Sequence, residues 1–327
     1  MKVLLTNLDV KSGIGYVGDK IFKWLEILEV HGGIPIEVTE YKKQTCVSVF
    51  TNDIIAFKPD LIIVNEYFPR IIEPLYYYKT YNPKVRILFI CHSYKTLIET
   101  TYNDNNYIVD QMIQIFVKDT CDKIICLSKN LVGDKYRYGV DRKIIELYMP
   151  VNSKEYKIIT PWINRKKLFG HWGMGDNRLS NEFVEKIKDT NLYVDCYGED
   201  NRESKLRNVP NLLINPRVKQ EDMPASLNEY KFFVLPHVGS EVFFITLLQS
   251  IMTGTIPLVT NSGDSNWLKW AEGLFFEADS INALISNMGK ISQEQPDFLN
   301  ISERISRVAA EQFNENIIKK EVLDFLV

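Results

Sequence analysis

The stretch Phe232–Asn261, FFVLPHVGSEVFFITLLQSIMTGTIPLVTN, constrains the fold more than any other part of the chain. An apolar run, Phe232–Leu235, is cut off by Pro236 and a polar, glycine-bearing turn over His237–Glu241. A helix-length apolar segment, Phe243–Met252, follows and is closed by Gly254, and a second strand-like run spans Ile256–Val259. Strand, loop, helix, glycine stop and strand describe a βαβ unit, since parallel strands need a crossover. The first amides of such a helix have no partner within it, and its dipole favours an anion there. Ser240 and Glu241 stand where a cap and a site carboxylate would stand. The stretch alone fits both a phosphate-binding crossover and an ordinary βαβ unit with a polar loop.

The same alternation runs through the rest of the chain. Strands are expected at Val3–Leu5, Ile34–Val38, Leu61–Asn65, Val85–Cys91, Lys123–Leu127 and Ile144–Tyr148. Between them, helical spacing predicts Ile21–Val30 (stopped by His31-Gly32-Gly33, with His31 as a charge at the helix end), Val47–Phe57, Pro69–Lys79 despite Pro74, Tyr107–Val117 and Asn130–Tyr138. Ser153–Lys167, with Pro161, Trp162 and several lysines, breaks the rhythm and reads as an interdomain linker. The alternation then restarts, with strands at Leu168–Trp172, Leu192–Tyr197 and Asn211–Asn215. Helices are expected at Ser180–Lys188 (Ser180 as cap), Gln220–Glu229, Ser280–Met288, Ile301–Phe313 and Glu315–Leu326. Strands alternating with helices imply parallel, doubly wound sheets, which bind ligands at the carboxyl ends of their strands.

With 327 residues the chain exceeds one typical domain. A composition of 45% hydrophobic and 25% charged residues excludes wholesale disorder. The net charge of -3 gives no basic excess for a nucleic-acid partner. Five cysteines without a CxxC pair fit buried thiols in a reducing compartment. No apolar run is long enough to span a membrane and no signal peptide is visible, so a cytoplasmic location is expected.

Gly13-Ile14-Gly15-Tyr16-Val17-Gly18 matches GxGxxG, and Glu37 lies about twenty residues on, as a dinucleotide site requires. In the dinucleotide fold, however, the first glycine ends the strand in a tight turn. Here Leu8–Ser12 intervenes, which suits a longer glycine loop reaching towards a phosphate. His92 follows the strongest buried strand of the first half, at its carboxyl edge. His31, His171 and His237 lie far from it and from one another in sequence, and no HxxxH motif or Asp-x-Asp pair offers a metal site. The GxSxG elbow and the GxxxxGK[ST] loop are absent too.

These residues resemble the retaining, GT-B-fold glycosyltransferases of family four. The C-terminal domain of that family reads P-S-x-x-E-x-F-G, then four residues, then E-A-x-x-x-G-x-P-V-V. This chain has Pro236, Glu241-Val242-Phe243, Gln249, Gly254 and Ile256-Pro257-Leu258-Val259. The segment from Val209-Pro210-Asn211 through Val218 and on to Tyr230, the N-terminal glycine loop, His92 and Pro150-Val151-Asn152 also fall where the family has equivalents. Layout matches over most of the chain, and residues match closely only over this short C-terminal stretch. The departures are Gln249 for the second glutamate, Phe244 where glycine is usual, Met174 where an arginine is expected, and Arg178 one position before the expected lysine.

The resemblance implies an α/β chain of two Rossmann-like doubly wound domains facing a cleft. The first, residues 1–155, would be the acceptor side, with a C-terminal helix at 314–327 packing back on it, and the second, 156–313, would bind the donor. Glu241 would face the donor sugar and diphosphate. The amides of Phe243, Phe244, Ile245 and Thr246 would hold the distal phosphate, Gln249 the nucleotide ribose, and Gly15 would approach the diphosphate. Val218 would lie near the nucleobase and His92 near the transferred sugar, while Arg178 would stabilise the departing charge. The implied activity is retaining transfer from a nucleoside diphosphate sugar to the hydroxyl of a glycan, a lipid-linked sugar or another acceptor, with no metal and no cofactor. Tyr76-Tyr77-Tyr78-Lys79, with Lys84 and Arg86, leaves a peripheral membrane contact open beside the plainer reading of a half-buried helix. Three other readings stay open: a sugar-nucleotide-binding protein without transferase activity, a nicotinamide oxidoreductase using Gly13–Gly18, and an epimerase on the same fold.

Overall fold

In a computed structural model of the chain, the described residues are 1–6, 21–23, 25, 30–31, 34–35, 37–41, 47–65, 69–91, 115–126, 144–146, 151–173, 179–198, 203–237, 245–261, 268, 270–294, 298–313, 316 and 319–320. The chain divides into two compact units, Met1–Met149 with Asn316–Val327, and Pro150–Glu315.

The first unit is built on β1 (Lys2–Thr6), β2 (Val30–His31), β3 (Ile34–Pro35), β4 (Glu37–Tyr41), α1 (Val47–Phe57), β5 (Leu61–Asn65), α2 (Pro69–Tyr81), β6 (Arg86–Cys91), a π-helical turn (Ile115–Thr120), β7 (Lys123–Cys126) and β8 (Ile144–Glu146). Its 6-stranded sheet has the order β4-β1-β5-β6-β7-β8, and each neighbouring pair is parallel. The apolar run LIIV of β5 is buried along its whole length, as a central parallel strand covered on both faces requires. One face packs Leu4, Ile62, Val64, Ile87 and Phe89 against Phe50 and Ile54 of α1 and Ile71, Ile72 and Leu75 of α2.

Two expectations for this unit change. Val30 and His31 do not end a helix: they pair antiparallel with Ile34 and Pro35. The helix expected to run to Val117 is, where described, a π-helical turn at Ile115–Thr120, and its earlier part lies outside the described residues. Pro74 sits inside α2. Tyr76 and Tyr77 of that helix are 40% and 52% exposed. Lys79 turns inward, donating to the Val85 carbonyl and to both Asp122 oxygens.

The second unit contains a 3-10 turn (Trp162–Asn164), β9 (Lys167–Trp172), α3 (Asn181–Ile187), β10 (Val194–Tyr197), α4 (Glu203–Leu206), β11 (Leu212–Asn215), a 3-10 turn (Gln220–Asp222), α5 (Met223–Leu227), β12 (Tyr230–Leu235), α6 (Ile245–Met252), β13 (Ile256–Thr260), β14 (Phe276–Ala278), α7 (Ile281–Glu294) and α8 (Leu299–Gln312). The sheet order is β11-β10-β9-β12-β13-β14, again with parallel neighbours. The short edge strand β14 was not anticipated; three residues carry too little pattern to read.

The stretch expected to be a linker is part of this unit. Trp162 is buried edge-on against Phe232 and Phe298, with ring centroids 5.8 and 5.4 Å away, and its indole N–H donates to the Lys231 carbonyl. Asn228 accepts from the amides of Ile159 and Thr160 and donates to the Lys157 carbonyl. Proline and lysines suggested a loose connection, but one buried aromatic and one buried amide tie it down.

Candidate active site

Counted in chain order within the second unit, the strands run 3-2-1-4-5-6. Connections go one way from β9 and the other way from β12, so the crevice outside the carboxyl ends of these two strands is the position where such sheets take ligands.

What lines that edge is set locally. Gly170 of β9 has no side chain because the Trp172 ring occupies the space: an added Cβ would lie 2.5 Å from its Cη2 atom. Trp172 stacks on Tyr197 and Phe233, with interplanar angles of 12° and 23°. His171 points to the other face, fully buried, with Nδ1 2.8 Å from the Val234 carbonyl. A carbonyl can only accept, so Nδ1 carries the proton. Gly173 ends β9 at φ 83°, a left-handed conformation that costs glycine nothing, and its amide donates to Tyr197 O.

The segment leaving β12 is pinned on both sides. The Ser180 amide donates to Pro236 O, and the Thr260 hydroxyl at the end of β13 donates to His237 O at 2.6 Å. Ser180 also accepts from the Phe183 amide and so caps α3, as its sequence position predicts. The next described element is α6. Running between parallel β12 and β13, α6 is antiparallel to them, which puts its amino end at the carboxyl edge of the sheet. Leu247, Leu248, Ile251 and Met252 bury its core face. At its other end Gly254 (φ 77°) and Thr255 donate to Ile251 O and Ser250 O, the paired bonds of a Schellman stop.

Of the residues expected at the site, Val218, Ile245, Thr246 and Gln249 are described; Glu241, His92, Arg178, Gly15, Phe243 and Phe244 lie outside the described residues. Ile245 and Thr246 form the first described turn of α6 and are half-buried. Gln249 is one turn further on and 3% exposed. Val218, half-buried, follows the carboxyl end of β11. Thr260, which ties β13 to the loop after β12, was not singled out from the sequence; a threonine ending an apolar strand was its only signal.

At the carboxyl edge of the first sheet, β1 ends in Thr6, whose buried hydroxyl has no partner among the described residues, and β5 ends in the buried Asn65. Among the described residues no group of three or more His, Cys, Asp or Glu side chains comes together. No described helix is long and apolar enough to cross a membrane.

Two parallel, doubly wound units, the second in the 3-2-1-4-5-6 order, make up the GT-B fold of glycosyltransferases. The chain is similar over its whole length to HepE from Anabaena, solved in complex with UDP and glucose, at a TM-score of 0.73 and 12% identity, covering 100% of this chain and 99% of that one. It is similar to sucrose-phosphate synthase from Thermosynechococcus elongatus at a TM-score of 0.76 and 12% identity, covering 100% and 98%. A glycosyltransferase from Rickettsia africae aligns at a TM-score of 0.69 and 14% identity over 99% and 97%. The sequence matches no protein-family model and no curated protein.

Proposed function

We propose that the protein is a glycosyltransferase that moves a sugar, with retention of anomeric configuration and without a metal, from a nucleoside diphosphate sugar to an acceptor hydroxyl. The observation that carries this reading is the placement of α6. Its amino end lies at the carboxyl edge of the β9–β12 switch point, with the nearly buried Gln249 one turn in. Free amides and a helix dipole suit a diphosphate, and a glutamine amide oxygen can accept from a ribose hydroxyl. Solved proteins of the same fold hold UDP or UDP-glucose.

In the reaction, the bond from the anomeric carbon to the diphosphate oxygen breaks and the acceptor oxygen bonds to the same face of that carbon. The acceptor proton passes to the departing diphosphate, so no separate base is needed. The amides of Phe243 to Thr246 and the Arg178 guanidinium take up the charge that develops on the leaving group. The roles assigned in this reading are Glu241 and His92 to the transferred sugar, Gly15 to the diphosphate and Val218 to the base. In this reading the Pro150–Glu315 unit binds the donor, and the unit of Met1–Met149 with Asn316–Val327 supplies the acceptor side. Acceptors are glycans, lipid-linked sugars or other hydroxyl compounds, and the exposed Tyr76 and Tyr77 of α2 offer an amphipathic surface for peripheral membrane contact.

The nicotinamide reading has less support. Its glycine motif follows β1 of the first sheet, whose chain-order sequence is 2-1-3-4-5-6, not the order of the dinucleotide fold. The test is a thermal-shift panel of UDP, GDP, ADP, NAD and NADP, followed by donor hydrolysis and transfer with the best nucleotide's sugars. Stabilisation by a nucleoside diphosphate and turnover that Glu241→Ala abolishes are expected. Stabilisation by NAD(P) alone, or equal turnover in Glu241→Ala, refutes the assignment.

A further inference from the structure

Arg165 is 4% exposed, yet among the described residues no carboxylate pairs with it, which is unusual for a buried cation. Its donors go to backbone and hydroxyl oxygens instead. Nε donates to Thr160 O at 3.1 Å. Nη1 donates to Tyr230 O at 2.7 Å and to Thr255 Oγ1 at 3.0 Å. Nη2 donates to Thr253 O.

These acceptors are the ends of four elements at the amino edge of the second sheet. Thr160 precedes β9, Tyr230 is the first residue of β12, Thr253 follows the last turn of α6, and Thr255 precedes β13. Thr255 Oγ1 in turn donates to Leu227 O at the end of α5. The carbonyls flanking Thr253 are held from α8: Ser306 donates to Met252 O and Ser302 to Gly254 O, each at 2.6 Å. Three successive carbonyls at the carboxyl end of α6 therefore end on side-chain donors, and the middle donor carries a full positive charge against the negative pole of the helix dipole. With no carboxylate to compete for it, the planar guanidinium fork fixes direction as well as distance.

An eight-residue helix is about 12 Å long, so a tilt at one end displaces the other. We propose that Arg165 is a positioning residue for the ligand-binding end of α6: by locking the carboxyl end of that helix to β12, β13 and the segment before β9, it holds the amino end at the switch point. Arg165 touches no ligand. The inference rests on the reading of α6 as the diphosphate-binding helix.

The experiment is calorimetry on the full chain with the nucleoside diphosphate, among UDP, GDP and ADP, that most raises the wild-type melting temperature. Arg165→Lys keeps the charge but loses the fork, and Ser306→Ala removes a neighbouring tether without touching the charge. Positioning predicts unchanged stoichiometry with a dissociation constant raised on the order of tenfold in Arg165→Lys and less in Ser306→Ala. A merely structural role predicts fewer sites per molecule at wild-type affinity, and that result in Arg165→Lys overturns the proposal. If Arg165→Lys does not fold, Ser306→Ala decides: wild-type affinity in it overturns the proposal, weakened affinity supports it. Failure of the wild type to bind any of the three nucleotides overturns the diphosphate reading of α6, and this role with it.

Discussion

The Thr260 hydroxyl and the His237 carbonyl meet at 2.6 Å across the carboxyl ends of β13 and β12. The bond closes the segment that leads from β12 towards α6, at the position where the sheet topology puts a ligand. Thr260→Val keeps the shape of the side chain and removes the donor, leaving a buried carbonyl short of a partner. The expected cost is about 1–2 kcal/mol of stability, read from urea unfolding, with weaker binding of the stabilising nucleotide. Unchanged stability and affinity would show that the bond is idle.

Gly170 and Trp172 are coupled more tightly. A methyl group at Gly170 meets the indole ring at 2.5 Å and Tyr230 at 2.8 Å, and the ring is locked between Tyr197 and Phe233. Gly170→Ala is therefore an overpacking mutation with an expected cost of about 1–3 kcal/mol. Thermal unfolding gives the cost. A changed near-ultraviolet circular dichroism spectrum reports the displaced indole.

The alternation of apolar runs with helical spacing made both sheets legible, because a central parallel strand such as Leu61–Asn65 is apolar from end to end and needs no partner information. The Ser180 cap and the Gly254 stop were legible for a similar reason: each is a local rule with a local residue. Arg165 was not. It lies in a lysine-rich, proline-containing stretch, and its partners Tyr230, Thr253 and Thr255 are 65 to 90 residues away. Long-range burial of one charged side chain leaves no periodic trace. The same holds for Lys79, whose position beside three tyrosines suggested a surface charge and whose actual partner is Asp122. At the candidate site, the position of α6 followed from the strand–loop–helix pattern, but the near-complete burial of Gln249 did not.

Tyr230 predicts an alkaline limit. Its phenol is desolvated, donates to Asp195 and accepts from the Tyr197 hydroxyl at 2.7 Å. Burial first, then the Asp195 and Tyr197 interactions, raise its pKa above the ordinary 10.0. A group whose folded pKa lies above the unfolded one contributes stability that is complete below the unfolded value and is lost as pH rises through the folded value. The urea midpoint should therefore fall as pH climbs past about 10. Tyr230→Phe should flatten that fall without abolishing it, since the Tyr156 phenol is raised by burial as well. An equally steep fall in Tyr230→Phe would move the limit elsewhere.

Gln249 separates stability from function by sign. A polar side chain that is only 3% exposed gives up most of its hydration, which is a liability to the folded chain. Gln249→Leu, of similar size, removes that liability, and stability should hold or rise. If the amide serves a ribose hydroxyl, the same substitution costs one hydrogen bond to ligand, about 1–1.5 kcal/mol or roughly tenfold in affinity for the nucleoside diphosphate. Binding of inorganic pyrophosphate, which has no ribose, should be unaffected. Opposite signs for stability and nucleotide affinity mark a polar group retained for a ligand, and a joint loss of both, or equal weakening of nucleotide and pyrophosphate, would make Gln249 a packing residue of α6.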